Sequence, residues 1–340
     1  MHAAAQAIPE YAGLDETSIR RDILTQYRPA ILRGLVRDWP AVREAAVSAA
    51  ALSSYLKALD SGREVDAIMT PPEERGRIFY NADLSGFNFL RNRLPLSKVI
   101  EQVLRYSLFD RPPSVAAQSA LIPDCLPGFV EENRLGLLDA AVQPRIWLGN
   151  AITTPAHFDE ADNIACVVSG RRRFTLFSPE QIANLYVGPL DYTPTNTPIS
   201  LVDFEAPDFE RHPRFRKALA AAHVGELGPG DAIFIPTLWW HHVVSLEKFN
   251  VLVNYWWNGS IGTAGRTDSG LAGLLHSLLN LRQLSSPQRQ AWSAIFEHYL
   301  FGDREAAAAH IPPHLRGVLG EMSDEQVARL RALLRSGLEG

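Results

Sequence analysis

The 340-residue sequence predicts a mainly β fold, a barrel with helical additions. Three observations predict it. Two strand-like runs, 163–169 and 172–177, flank a tight turn at Gly170-Arg171, and a third run, 231–235, follows a Gly-Pro-Gly turn at 228–230. A His-x-Asp pair, His157 and Asp159, stands just before the first of these hairpins, with Pro155 ahead of it. A histidine pair, His241-His242, opens a later strand. Polar ligands at the ends of strands far apart in sequence suit the mouth of a β-barrel.

In extended chain, residues two apart point the same way. The imidazole of His157 and the carboxylate of Asp159 therefore face one small volume. A His-x-Asp pair by itself is common in surface turns, and its setting between strands is what gives it weight. A third ligand from the later strand would complete two histidines and one carboxylate on a single face of a metal. The opposite positions stay open, which is the non-haem iron(II) oxygenase arrangement. Adjacent strand residues face opposite ways, so either His241 or His242 can be that ligand, and spacing does not choose between them. His212, His223, His276, His298, His310 and His314 have no reading better than a structural one.

The hydrophobic fraction of 46% is that of a globular protein with a full core. A net charge of −5 gives no basic field for nucleic acid, and Arg171-Arg172-Arg173 is too short to make a binding stripe. Cys125 and Cys166 are far apart in sequence, so small core residues are expected rather than a disulfide or zinc framework. The N-terminal stretch has no basic segment followed by an apolar run, and no window approaches the roughly 18 apolar residues of a membrane span. A soluble, cytoplasmic protein is expected, with no membrane partner.

Along the chain, Leu14, Ile19, Ile23 and Leu24 predict a helix over 14–27, stopped at Arg28-Pro29. Residues 30–35 read as a short strand ending at Gly34, and 48–59 as a helix ending at Ser61-Gly62. The pattern over 65–90 is mixed. Leu96, Val99, Ile100 and Val103 predict an amphipathic helix over 95–106, broken by Pro112-Pro113, and 143–150 reads as a strand with Ile146 and Leu148 on one face. Residues 185–215 form a long Pro-rich loop, either a substrate cover or an ordered surface excursion. Beyond Gly259 the character turns helical. Leu271, Leu274, Leu275, Leu278 and Leu281 form one stripe and Trp292, Ile295, Phe296 and Tyr299 another. Ser323 and Gln326 then make a capping box ahead of Val327.

Several motifs in matching order carry a family resemblance over about residues 28–260. They include Arg28-Pro29-Ala30-Ile31-Leu32, Asp38-Trp39-Pro40, Thr154-Pro155-Ala156-His157-Phe158-Asp159-Glu160, Asp203-Phe204-Glu205-Ala206-Pro207-Asp208, Trp239-Trp240-His241-His242 and Val253-Asn254-Tyr255-Trp256. They resemble the cupin-like JmjC oxygenases, most closely the asparaginyl hydroxylase type known as factor inhibiting HIF.

The resemblance implies a double-stranded β-helix, or jelly roll, over residues 1–260 with N-terminal helical decoration. It also implies a C-terminal helical segment, 261–340, that makes a homodimer; helices packed on their own barrel are the alternative. It implies Fe(II) as metal, with His157, Asp159 and His241 as ligands, and 2-oxoglutarate as co-substrate. Arg172 takes the place of the family's lysine for the distal carboxylate, with Thr154 as the hydroxyl. Asn163 and Asn254 fall at positions near the co-substrate, though barrel-lining amides are a rival reading. Gln118 falls at a substrate-contact position and Trp256 walls the site. Val115 falls where the family has a tyrosine, which removes one hydroxyl from the carboxylate pocket. The implied activity is hydroxylation of a protein side chain or another C–H substrate. The alternatives are a small-molecule hydroxylase and a metal-binding cupin that senses a ligand without turnover.

Overall fold

The computed structural model describes residues 5–195, 197–257 and 269–338. The chain divides into two compact units, Met1–Ala272 and Gly273–Gly340. The domain boundary expected at 260/261 lies outside the described residues.

In chain order the strands of the first unit are β1 (Gln6–Ala7), β2 (Glu10–Ala12), β3 (Ala30–Arg33), β4 (Glu64–Thr70), β5 (Leu90–Pro95), β6 (Ser114–Leu121) and β7 (Pro144–Gly149). They continue as β8 (Thr153–His157), β9 (Asp162–Ser169), β10 (Arg172–Phe177), β11 (His223–Leu227), β12 (Ala232–Ile235), β13 (Trp240–Ser245) and β14 (Asn250–Trp257). A large sheet runs β2-β3-β12-β9-β14-β7-β6-β4-β5, and a small one runs β1-β11-β10-β13-β8. The two face each other across a core of Ile31, Val167, Phe174, Leu176, Ile233 and Leu252, drawn from both sheets. This is a jelly roll.

The large sheet is covered on its outer face as well. Strand β9 is buried along nearly its whole length, so both of its faces need apolar side chains. Ala165 and Val167 point between the sheets, while Ile164, Cys166 and Val168 join the outer core. The helix Leu96–Tyr106 presses Leu96, Val99, Ile100 and Val103 onto that outer core, each fully buried. Burying such side chains is worth about 1.5–3 kcal/mol apiece. The helix Ala49–Leu59 adds Leu52 and Leu56, and Ser48 caps it through a 3.0 Å bond from the Ala51 N–H to its Oγ. Cys125 and Cys166 are free and buried in the same core.

The outer face of the small sheet carries a third cluster. Phe177 and Trp240 pack there against Leu185, Val202, Phe215 and Ala218. The described residues of the 185–215 segment therefore cover the sheet's back, and they also reach the barrel mouth where Ile199 bridges to His157. Among the described residues, no helix is long and apolar enough to cross a membrane.

Some elements differ from the sequence expectation. The first helix runs only through Glu16–Ser18 and a wider turn, Ile19–Ile23, because Tyr27 takes a left-handed conformation. The mixed stretch holds β4, paired to β5. Strand β5 is an exposed edge rich in charge, Leu-Arg-Asn-Arg-Leu-Pro, whose polarity protects the edge and hides the strand pattern. In the second unit the helices Gly270–Leu281, Ser286–Phe296 and Asp324–Leu338 form as the stripes predict. Gln326 Oε1 accepts from the Ser323 N–H at 2.8 Å, which completes the expected capping box.

The β9–β10 turn fixes the register that matters most. Gly170 has φ +76°, and a Cβ there would meet Asn250 Oδ1 at 2.2 Å and the Phe249 carbonyl at 2.9 Å. A one-residue slip would turn every β10 side chain to the other face. Gly170→Ala is expected to lose about 1–3 kcal/mol of stability, read as a lower denaturant midpoint; an unchanged midpoint would show that the turn tolerates a side chain.

Candidate metal centre

Strand alternation decides what enters the space between the sheets. On β13, His241 and Val243 face inward. His242 lies on the outer face, where it stacks on Phe204 with ring centroids 4.5 Å apart. His241 is directly opposite His157 on β8. The two imidazole centroids are 4.2 Å apart, and His241 Nε2 lies 3.5 Å from Asp159 Oδ2. One ligand atom from each of His157, Asp159 and His241 lies within 4.8 Å of the others, close enough to hold one ion. The choice that spacing left open between His241 and His242 is thus made by which face each occupies.

The imidazoles are held for this purpose. His157 Nδ1 is 2.9 Å from the Pro155 carbonyl, and His241 Nδ1 is 3.0 Å from the Trp239 carbonyl. A carbonyl can only accept, so each Nδ1 carries the proton and each Nε2 keeps a lone pair for a metal. Burial, and then His241 beside it, pushes the His157 imidazole down to about 4. It is therefore neutral near pH 7, the form that ligates.

Asp159 is fixed by a polar network on β7, β9 and β14. Its Oδ2 accepts from Trp256 Nε1 at 3.0 Å and from Asn163 Nδ2 at 3.3 Å. Asn254 donates to Asn163 Oδ1 at 3.2 Å, and Trp147 donates to Asn254 Oδ1 at 2.8 Å. Asn163 and Asn254 thus reach the pocket and also satisfy each other, so both roles weighed for them in the sequence coexist. Trp147 had no site role in the sequence reading. The signal available was its place opposite Ile146 and Leu148 in the strand alternation.

Thr154 shares the pocket with His157 although the two are three apart, a spacing that normally points side chains to opposite faces. The ladder between β13 and β8 shifts register here: His241 pairs His157, yet Val243 pairs Thr154. The extra residue is a β-bulge, which re-aims a side chain. Arg172 faces inward two residues before Phe174, and lines the same cavity as Thr154, the triad, Asn163, Asn254 and Trp256. Among the described residues its buried Nε has no hydrogen-bond partner and its guanidinium has no carboxylate. Burial pushes it down to about 10, so it stays charged. Arg171 and Arg173 pair at the surface, with Glu247 at 2.9 Å and Glu226 at 2.8 Å respectively.

Two expected positions fall elsewhere. Val115 is not on the cavity side: it is packed in the outer core, and its neighbour Ala116 takes the inward face, opposite Gly149. The register is one residue off from the sequence reading, because a single-residue shift inverts a strand's faces; Ala116 supplies no hydroxyl either. Gln118 is not brought to the triad's cavity. It sits at an irregularity of β6, in a separate cleft with Arg63, Glu64, Asp66 and Arg93.

The fold and the convergent donors define a class, a jelly-roll protein with a candidate site of two histidines and one carboxylate. The chain belongs to the cupin-like domain family, whose match covers residues 16–263. It is 26% identical over 260 residues to lysine-specific demethylase 8 of Xenopus tropicalis, covering 74% of this chain and 53% of that protein. It is 27% identical over 270 residues to tRNA wybutosine-synthesizing protein 5 of Danio rerio, covering 74% of each. Over 133 residues it is 37% identical to JmjC domain-containing protein F of Dictyostelium discoideum, covering 35% of this chain and 27% of that protein. The chain therefore spans about half the length of the frog demethylase.

Removing a ligand should abolish metal binding where removing its neighbour does not. His157→Ala, Asp159→Ala and His241→Ala should each weaken Co(II) or Fe(II) affinity by more than the roughly 10–100-fold that losing a supporting hydrogen bond costs. His242→Ala should leave metal affinity within about that lower bound. Equilibrium dialysis of the four variants checks this, and loss in His242→Ala with retention in His241→Ala would reverse the assignment.

Proposed function

We propose that this chain is an iron(II)- and 2-oxoglutarate-dependent oxygenase that hydroxylates a C–H bond, in a protein side chain or in a small molecule. The observation that carries the reading is Arg172, a cation inside the barrel with no carboxylate partner among the described residues, in one cavity with three metal-ligand atoms. A metal alone would gain nothing from that charge. A co-substrate that chelates a metal at one end and carries a carboxylate at the other needs both. The matched relatives whose names record a demethylase and a JmjC domain support the same reading.

On this reading His157, Asp159 and His241 would hold the iron. Arg172 and Thr154 would take the distal carboxylate, the guanidinium through two parallel hydrogen bonds. When bound, iron(II) would let dioxygen serve as the oxidant, one of its oxygen atoms entering the succinate formed as 2-oxoglutarate loses CO2 and the other entering the substrate's C–H bond. The chain's own part is to orient and to exclude water. Asn163 and Trp256 keep the Asp159 carboxylate in one pose, while Phe174, Leu252 and Trp147 give the cavity dry walls. The likeness to the asparaginyl hydroxylase type rests on motif order, and it favours a protein side chain over a small molecule as the substrate.

The C-terminal unit supports a further part of the proposal, a homodimer through its helices. Leu274, Trp292, Ile295 and Tyr299 remain exposed there, and apolar patches of this kind are seldom left open in soluble monomers. Light scattering should give twice the chain mass; a monomer would sink this point.

Arg172 gives the sharpest test of the co-substrate. Losing one partner of a desolvated ion pair costs about 3–5 kcal/mol. Arg172→Ala should therefore raise the dissociation constant for 2-oxoglutarate by about two to three powers of ten, at about 1.4 kcal/mol per tenfold, with iron affinity nearly unchanged. Arg172→Lys should recover part of the loss, and Arg171→Ala and Arg173→Ala should behave as wild type. Titration of the iron-loaded proteins under nitrogen, and succinate formation in air, read the two arms. Binding of 2-oxoglutarate without succinate under any conditions would favour the sensing cupin.

A further inference from the structure

Arg145 is the second inward-facing cation of the barrel, and neither the metal nor the co-substrate pocket uses it. It stands two residues before Trp147 on β7, opposite Asn254 of β14. Trp147 and Asn254 both line the metal cavity, so strand alternation puts Arg145 on that face, one step farther out. Its guanidinium lies over the Trp256 ring, 5.6 Å from its centre. The same indole donates to Asp159 at 3.0 Å. One ring thus separates Arg145 from the carboxylate of the candidate metal site.

The donors of Arg145 are partly spoken for. Nη1 donates to the Ser119 carbonyl at 2.9 Å, a group that the irregularity of β6 turns toward it. Among the described residues, Nε and Nη2 have no partner and no carboxylate pairs with the charge. Arg33, Arg171 and Arg173, by contrast, each pair with a carboxylate within 3 Å. Arg145 is instead part-buried, and burial lowers its pKa. A guanidinium over an indole, with Nη1 tied to the backbone and Nε and Nη2 without a partner among the described residues, presents two parallel N–H donors. That shape matches a carboxylate.

We propose that Arg145 and Trp256 form the rim subsite that receives a carboxylate of the primary substrate. The inference rests on the oxygenase reading and narrows its substrate to an acid. The source can be a free N-acylated amino acid or an acidic residue of a peptide; the recognised chemistry is the same. Since the Trp256 indole touches both this subsite and Asp159, the carbon to be oxidised sits within a side chain's length of the recognised carboxylate.

The test uses full-length protein loaded with iron(II) and 2-oxoglutarate under nitrogen, with the fluorescence of Trp256 and its neighbours as readout. The probes are N-acetylglutamate, the peptide acetyl-Gly-Glu-Gly-amide, and the glutamine twin of each. Wild type should bind at least one glutamate probe about tenfold tighter than its twin, a difference of about 1.4 kcal/mol. Which of the two glutamate probes gains more identifies the source. Arg145→Gln should erase the preference, and Arg145→Glu should reverse it, which a merely structural arginine would not do. Equal binding of the twins by wild type, no binding of either at millimolar concentration, or a preference that survives in Arg145→Gln overturns the proposal. A wild type that binds no 2-oxoglutarate at all would instead sink the oxygenase reading, because that titration does not involve the rim.

Discussion

The charge of Arg172 inside the barrel is the constraint on which the rest of the structure depends. A guanidinium without a partner in a desolvated site costs several kcal/mol, and a fold with a thin core could not carry it. This one carries it because the large sheet is buried on both faces. The helices Ala49–Leu59 and Leu96–Tyr106 supply an outer core that owes nothing to the cavity. The inner face of the same sheet is thereby free to hold polar groups. Asn163 and Asn254 sit on strands whose alternate residues, Ile164 and Val253, are fully buried in that outer core.

The placement of that cation is governed by a turn and a bulge. Gly170 reverses the chain in a conformation that a side chain would strain, so Arg172 enters β10 on the inward parity and Arg171 and Arg173 do not. The bulge of β8 against β13 adds the one residue by which Thr154 joins His157 in the cavity. Both are backbone devices, and β10 is held by ladders on both sides, to β11 and to β13. A carboxylate recognised at Arg172 and Thr154 would be held relative to His157 and His241 by the hydrogen-bonded strands β8, β13 and β10.

The polar network around Asp159 works in the same direction. Trp256 and Asn163 both donate to a single oxygen of that carboxylate, and Asn254 and Trp147 extend the chain of bonds across β14 and β7. Each member satisfies the next, which is what makes a buried polar network stabilising rather than costly. It also places Trp256 in two environments at once, its N–H at the metal ligand and its face toward Arg145.

Much of this was legible in the sequence, because strand parity is a local property. The Gly170 turn and the alternation of β10 imply, with no structure in hand, that Arg172 and Arg173 diverge, whereas the convergence of His157 with Asp159, which lies past the end of β8, is completed by Trp256 and Asn163. The amphipathic helix over 96–106 was readable for the same reason, since its apolar stripe recurs within a single element. What sequence could not supply is anything that depends on which strand lies beside which. His241 and His242 have equal claims by spacing, and only the pairing of β13 with β8 on one side and the packing of Phe204 on the other separates them. The resemblance put Val115 at the place of a cavity tyrosine, but the pairing of β6 with β7 turns Val115 to the outer core. Trp147 and Arg145 were visible as the face of β7 opposite Ile146 and Leu148, but that this face turns to the cavity is set by Asn254 and Trp256 across the sheet. Long-range ladders are specified by the whole set of turns and faces together, and that joint solution exists only in the folded chain.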